Sequence, residues 1–238
     1  MFQPNGQPQL AAHWANSASI IGNGRNFTSA LRSFLKLTPR EYRKMLVDNT
    51  DVVETQMCNK EFEGIDFSAV PSVAMARYKQ AFYKNAAEQF SEFLGAVEKG
   101  EKKINASALY PHEVLKDITG YGNSSPENIR VIEAQWKALP DYMNGKKALP
   151  LVDVSGSMTV KVAGATSAMD IAVSLGLYMA DKNKGSFKDC FLTFTGTPKL
   201  MNLSGNVTQK YSQMSSADWG MNTDLHKALD LILTTALC

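Results

Sequence analysis

Three side chains at alternating positions, Asp153, Ser155 and Ser157, pose the first chemical question of this 238-residue sequence. They lie in Asp153-Val154-Ser155-Gly156-Ser157, directly after the apolar run Ala148-Leu149-Pro150-Leu151-Val152. A carboxylate and two hydroxyls spaced in this way can converge on one point of a tight loop, with Gly156 allowing the backbone to curl. Oxygen donors of this kind suit a hard divalent cation such as Mg²⁺. Hydroxyls add no charge, so the cation would stay electron-poor and could accept an anionic oxygen from a partner. That is the logic of a recognition site. A second loop, Trp219-Gly220-Met221-Asn222-Thr223-Asp224, precedes another helical stretch far downstream and offers a Thr hydroxyl as a further ligand. The plainer reading of Asp-x-Ser-x-Ser is an Asx or Ser turn that caps the segment after it. The apolar run before the motif, the buried helix after it and the distant Thr loop together favour the metal.

These loops need a scaffold, and the pattern from Lys147 onward supplies one. Residues 148–152 read as a short buried parallel strand ending at Asp153. Residues 167–183 are apolar on nearly every face and predict a buried helix, residues 190–194 a second strand, and residues 199–203 a shorter third one. Residues 225–237 predict a closing helix. Strand, loop, helix, strand in this order indicates an open, doubly wound α/β sheet. Such sheets bind ligands at the carboxyl ends of their strands, where Asp153 falls.

Upstream the pattern is helical. Residues 1–24 are rich in Pro, Gly, Asn, Gln and Ser and read as an irregular lead-in. Residues 28–37 predict a short amphipathic helix. Thr38-Pro39-Arg40-Glu41 predicts a capping box opening a helix that runs to about Met57. Pro71 marks a further helix start. Phe90, Phe93, Leu94 and Val97 follow the i, i+3, i+4, i+7 spacing, and Gly100 stands where that helix would stop. Pro111 opens a short helix through Ile118, and Ser125-Pro126 begins one whose apolar face is Ile129, Ile132, Trp136 and Leu139. No strand alternation occurs in residues 25–144. The expected organisation is therefore a lead-in over 1–24, an all-helical region over 25–145 and an α/β domain over 146–238.

Charge and composition narrow the function. The net charge is +2, with sixteen Lys/Arg against sixteen Asp/Glu up to residue 144 and nine against seven beyond it. That balance excludes a strongly basic nucleic-acid arm and an acidic tail. The one local basic stretch is Lys36, Arg40, Arg43 and Lys44, with Arg25 and Arg32 nearby. It is either a phosphate-contacting helix face or a solvated one, and the neutral total favours the solvated face. Cys58, Cys190 and Cys238 form no CxxC and read as reduced thiols. No secretory leader and no run long enough to span a bilayer is visible, so a cytoplasmic, membrane-free protein is expected. Gly-x-Ser-x-Gly, Walker A and dinucleotide fingerprints are absent, and His13, His112 and His226 have neither triad nor paired metal spacing. The expectation is a protein without catalytic residues or a nucleotide cofactor.

These residues also carry a resemblance. Asp153-x-Ser155-Gly156-Ser157 followed by Gly220-x-Asn222-Thr223-Asp224 resembles the metal-ion-dependent adhesion site of von Willebrand factor A (vWA) domains. The resemblance implies that Asp153, Ser155, Ser157 and Thr223 hold the metal, the Asp often through water, with Asp224 supporting them from behind. Farther upstream, Tyr42-Arg43-Lys44, Val70-Pro71-Ser72-Val73-Ala74, Arg77-Tyr78, Lys103-Ile104-Asn105-Ala106 and Leu109-Tyr110-Pro111-His112-Glu113 resemble a family that joins a helical region to a vWA domain, similar in layout to the Ro (TROVE) ribonucleoprotein. This implies an all-helical region followed by a Rossmann-like vWA domain, and RNA or an acidic protein group as partner. The vWA pattern has a third loop with an acidic residue after the next strand, and Cys238 comes before it. The expected domain is thus incomplete, with residues 148–152 at a sheet edge and weak Mg²⁺ binding. The expected function is a non-enzymatic binding protein, either Ro-like and RNA-binding or an adaptor that captures a partner carboxylate. A metal-dependent hydrolase is disfavoured because no general base is evident.

Overall fold

Thr38 opens its helix as its spacing to Glu41 implies. The Thr38 hydroxyl accepts the Glu41 N–H at 3.2 Å, and the Glu41 carboxylate accepts the Thr38 N–H at 2.8 Å, a reciprocal capping box. The structure is a computed structural model describing residues 24–48, 52–118, 125–163, 166–217, 222 and 224–236. Almost all of the lead-in over 1–24 lies outside the described residues.

The chain divides into two compact units, Met1–Ile65 and Asp66–Cys238. The first holds α1 (Gly24–Phe34), α2 (Pro39–Asp48) and α3 (Val53–Cys58), then a 3-10 turn at Phe62–Gly64. α1 begins and ends a few residues earlier than the expected 28–37. The single helix expected from Thr38 to about Met57 is two: α2 stops at Asp48 and α3 starts at Val53. Asn49, Thr50 and Asp51 lie outside the described residues, and Val52 is extended, with φ −125° and ψ 152°.

The second unit begins with α4 (Ser72–Asn85), α5 (Ala87–Glu98), α6 (Pro111–Leu115) and α7 (Pro126–Ala138). Phe67 sits among Phe82, Phe90 and Phe93 with ring centroids 5.2, 4.9 and 5.7 Å away, a tilted aromatic cluster that closes α4 on α5. Gly100 ends α5 with φ of 78°, and the Glu101 N–H reaches back to the Ala96 carbonyl at 2.9 Å, as a Schellman stop requires. Ser125 caps α7 through the Asn128 N–H at 3.3 Å. Ile132, Trp136 and Leu139 are buried as expected, but Ile129 is half-buried, and Val131 and Gln135 share the buried side. The buried Gln135 amide donates to the Ser72 carbonyl at 3.1 Å, which offsets its desolvation. Among the described residues between 25 and 140 there is no strand.

Strands and helices follow: β1 (Leu151–Val152), β2 (Lys161–Ala163), β3 (Thr166–Ser167), α8 (Ala168–Lys182), β4 (Cys190–Thr193), β5 (Leu200–Asn202), α9 (Val207–Ser215) and α10 (Leu225–Ala236). The fold is thus mixed α/β. β1 is two residues rather than the expected five. Pro150 has no N–H and joins only through its carbonyl, which accepts the Leu192 N–H at 2.9 Å. Among the described residues the main sheet has the order β1-β4-β5, placing β1 at one edge. β1 and β4 are parallel, while β4 and β5 are antiparallel. The sheet is therefore not parallel throughout; an antiparallel edge strand on such a sheet is common. The β2–β3 hairpin and α9 were not anticipated.

The change of pattern at Lys147 does not divide the core. Ile132, Trp136 and Leu139 of the helical stretch pack in one apolar cluster with Val152, Leu177, Phe191 and Met214. α8 lies close over β1 because Gly176 has no side chain: a Cβ there would sit 2.5 Å from Val152 Cγ2. The sequence after β1 is therefore drawn over the sheet, and the Asp153 loop is held at its carboxyl end.

Candidate metal centre

Val154 anchors the loop after β1. It is buried, while its neighbours Asp153 and Ser155 are half-buried and Ser157 is exposed, so the alternation turns the polar side chains to one side. The Asp153 carboxylate accepts the Ser155 N–H at 2.8 Å, an Asx turn. The Ser155 and Ser157 hydroxyls lie 2.9 Å apart. The chain then enters a 3-10 turn, Gly156–Thr159, with the Thr159 hydroxyl on the Gly156 carbonyl at 2.7 Å. Gly156 does not play the part expected of it. Its φ is not positive, and an added Cβ would meet nothing within 4 Å. The curl comes from the Asx turn and the 3-10 turn, and the space above Gly156 is open.

Of the second loop, Asn222 and Asp224 are described, and Asn222 lies at the same end of the sheet. The Phe194 N–H donates to the Val152 carbonyl at 3.0 Å, setting the residues after β4 beside Asp153. Gly196 of that segment lies against Asn222, whose backbone oxygen is 3.5 Å from where a Gly196 Cβ would be. Lys227 completes the join, donating to the Gly196 carbonyl at 3.1 Å and pairing with Asp224 at 3.5 Å. Thr223 itself lies outside the described residues. Asp224 caps α10, accepting the Lys227 N–H at 3.1 Å. That N–H and the Lys227 charge hold its carboxyl below the usual range.

Two of the proposed donors have a spacing, ordinary for a hydrogen bond, that a hard cation would also accept. In an octahedral Mg²⁺ shell, adjacent oxygens at 2.0–2.1 Å from the metal lie about 2.9 Å apart; the two serine hydroxyls have that separation. Both would need to turn their lone pairs outward from their mutual hydrogen bond. Among the described residues no cluster of three or more His, Cys, Asp or Glu could hold a metal. Sequence reasoning passed over Thr195, buried at the end of β4, and Lys227. The signal for them was Phe194-Thr195-Gly196-Thr197 after a strand and a cation one turn into α10.

The other expected residues lie elsewhere. Arg40, Arg43 and Lys44 are exposed on α2, around the buried Tyr42. Their spacing of three and four puts them on one helix face. No described carboxylate forms an ion pair with them. His112 stacks on Tyr110 with centroids 5.8 Å apart, and His226 is exposed on α10.

The opposite end of the sheet is locked by charges that spacing did not reveal. Lys210 of α9 donates to Asp181 at 2.9 Å and to Asp189 at 2.7 Å, and the Trp136 indole N–H donates to Asp181 at 3.0 Å. Burial raises the Asp181 pKa, but Lys210 and Trp136 outweigh it and hold the carboxyl below its usual range. The buried Asn183 amide donates to the Ala148 carbonyl at 2.6 Å, which fixes the chain entering β1.

Comparison with known proteins gives these elements a family. A family model described as Domain of unknown function (DUF2828) matches residues 13–149, and one described as Domain of unknown function (DUF7788) matches residues 147–238. An uncharacterised protein of Acanthamoeba polyphaga mimivirus is 31% identical across 96% of this chain. The chain spans 42% of that relative's length. No solved structure matches it. With the first of these models covering more than half of its length, the chain belongs to the family described as Domain of unknown function (DUF2828).

Proposed function

We propose that the chain is a non-enzymatic binding protein of vWA type, whose Asp153, Ser155 and Ser157 loop, joined by Thr223, holds a divalent cation, Mg²⁺ by its donor chemistry. The observation that carries this reading is the 2.9 Å approach of the Ser155 and Ser157 hydroxyls at the carboxyl end of β1. Two features support it: Asn222 lies against Gly196 in the segment after β4, the strand beside β1, and the order β1-β4-β5 matches one half of a doubly wound sheet with an antiparallel edge. When bound, the cation supplies an electron-poor centre for an acidic oxygen of a partner. The chain's own residues position that exchange. Asp153 supplies one negative charge, the hydroxyls add none, and Asp224 fixes the start of α10. The open space above Gly156 admits the partner's group.

The function is therefore that of an adaptor capturing a partner carboxylate. Retention on a resin bearing an aspartate-terminated peptide, in Mg²⁺ and released by EDTA, is the expected result; equal retention in EDTA contradicts it. A second reading follows from the exposed Arg40, Arg43 and Lys44 face and from the resemblance of the sequence to Ro-like proteins: an RNA-binding protein. RNA affinity would then fall steeply with salt, and Arg40→Glu, Arg43→Glu and Lys44→Glu together would flatten the dependence. Absence of RNA retention at low salt removes that reading.

A further inference from the structure

We propose that a cleft between α5, α7 and the start of α9, apart from the candidate metal centre, binds a small amphipathic anion: an apolar chain or ring carrying one acidic head group. The cleft encloses about 650 Å³, within the range of small-molecule sites. Its apolar lining is Val97, Ile104, Ile129 and Ala134, of which Ile104 and Ala134 are buried. Its mouth carries the exposed Lys102, Lys103 and Lys137.

Which charges are already engaged decides what the cleft accepts. Arg130 is held by the Glu98 carboxylate at 2.8 and 3.3 Å and by the Ser91 hydroxyl at 3.0 Å. The Glu133 carboxylate accepts the Val207 N–H at 2.7 Å and so caps α9. Burial holds the Glu133 carboxyl above its usual range in spite of that N–H, the sign of a poorly hydrated wall. Both acids of the cleft are therefore occupied by the fold. The three lysines have no described carboxylate within ion-pair distance. A neutral apolar ligand would gain nothing from those ammonium groups, and a bare phosphate would leave the apolar wall uncovered. A ligand with both parts satisfies both, and the lysine stems extend the apolar surface toward the head group.

The test is a fluorescence titration with 8-anilinonaphthalene-1-sulfonate, an aromatic anion, run in EDTA so that failure of the metal reading cannot affect it. The dye should saturate a single site. Decanoate should displace it, whereas decanol and inorganic phosphate at equal concentration should not. Lys102→Glu, Lys103→Glu and Lys137→Glu together should weaken dye and decanoate by about tenfold or more. Ala138→Trp fills the cleft from an exposed position on its wall and should abolish both without changing the circular dichroism. Unchanged affinity in the tryptophan variant, or displacement by decanol as readily as by decanoate, would overturn the proposal.

Discussion

At the amino ends of β1 and β4, the charged and amide groups are tied into the fold: Lys210 to Asp181 and Asp189, and Asn183 to the Ala148 carbonyl. At the carboxyl ends of the same strands, the Ser155 and Ser157 hydroxyls are tied to one another, with open space over Gly156. Polar groups answered internally restrain the helices around the sheet. Polar oxygens grouped at an exposed rim can answer something external. The difference teaches where substitutions should cost stability and where they should cost binding.

Breaking the amino end should have the largest effect. Lys210→Met leaves the partly buried Asp181 with the Trp136 N–H and Asp189 with Lys188 at 3.6 Å, and should lower stability by about 2–4 kcal/mol in urea unfolding. The sign of its pH dependence follows from Asp181. A carboxyl depressed in the folded state contributes stability that is present above its unfolded value, about 3.9, and is lost as pH falls through the lower folded value. Removing Lys210 should therefore move the acid limb of the stability curve to higher pH. An acid limb unmoved by the substitution would show that the network contributes little.

Coupling between the two ends can be sharpened at Gly176. A Cβ would sit 2.5 Å from Val152 Cγ2, so Gly176→Ala should push α8 off β1 and cost about 1–3 kcal/mol. Because Val152 leads directly into Asp153, the same variant should weaken any cation response. A stability loss with an unchanged response would mean that the loop is positioned independently of the helix. The smallest effect is expected at Gly156, where φ is not positive and a Cβ meets open space. Gly156→Ala should be neutral or stabilising, by up to about 1 kcal/mol. A marked loss of stability would restore the conformational role that the sequence suggested for that glycine.

The same comparison explains what could be read from the chain. Elements with a local signature were legible: the Thr38–Glu41 capping box, the Gly100 stop, the Ser125-Pro126 start, and the apolar runs of β4 and α8. The Asp153, Ser155 and Ser157 loop was legible because its signal is also local, a strand running into alternating oxygens. α9 was missed although Asn206 and Gln209 form a capping box; its buried side consists of Val207, Tyr211 and Met214 alone, inside an otherwise polar sequence. The β2–β3 hairpin was missed because strands of two and three residues are too short to show alternation. The Lys210, Asp181, Asp189 and Trp136 network joins residues 8 to 74 positions apart, and no local pattern encodes such a meeting. Gly176 looked like an ordinary helix glycine until Val152 was placed beneath it.

Mn²⁺ titration followed by electron paramagnetic resonance, comparing the wild-type chain with the Ser155→Ala, Ser157→Ala double variant, tests whether the two serine hydroxyls meet a cation. The substitutions leave the net charge unchanged, so nonspecific attraction of the ion is matched. The wild type should bind one Mn²⁺, competed by Mg²⁺, and the double variant should lose that site while unfolding within about 1 kcal/mol of wild type. Equal Mn²⁺ binding by the two proteins, or none by the wild type, would contradict the account.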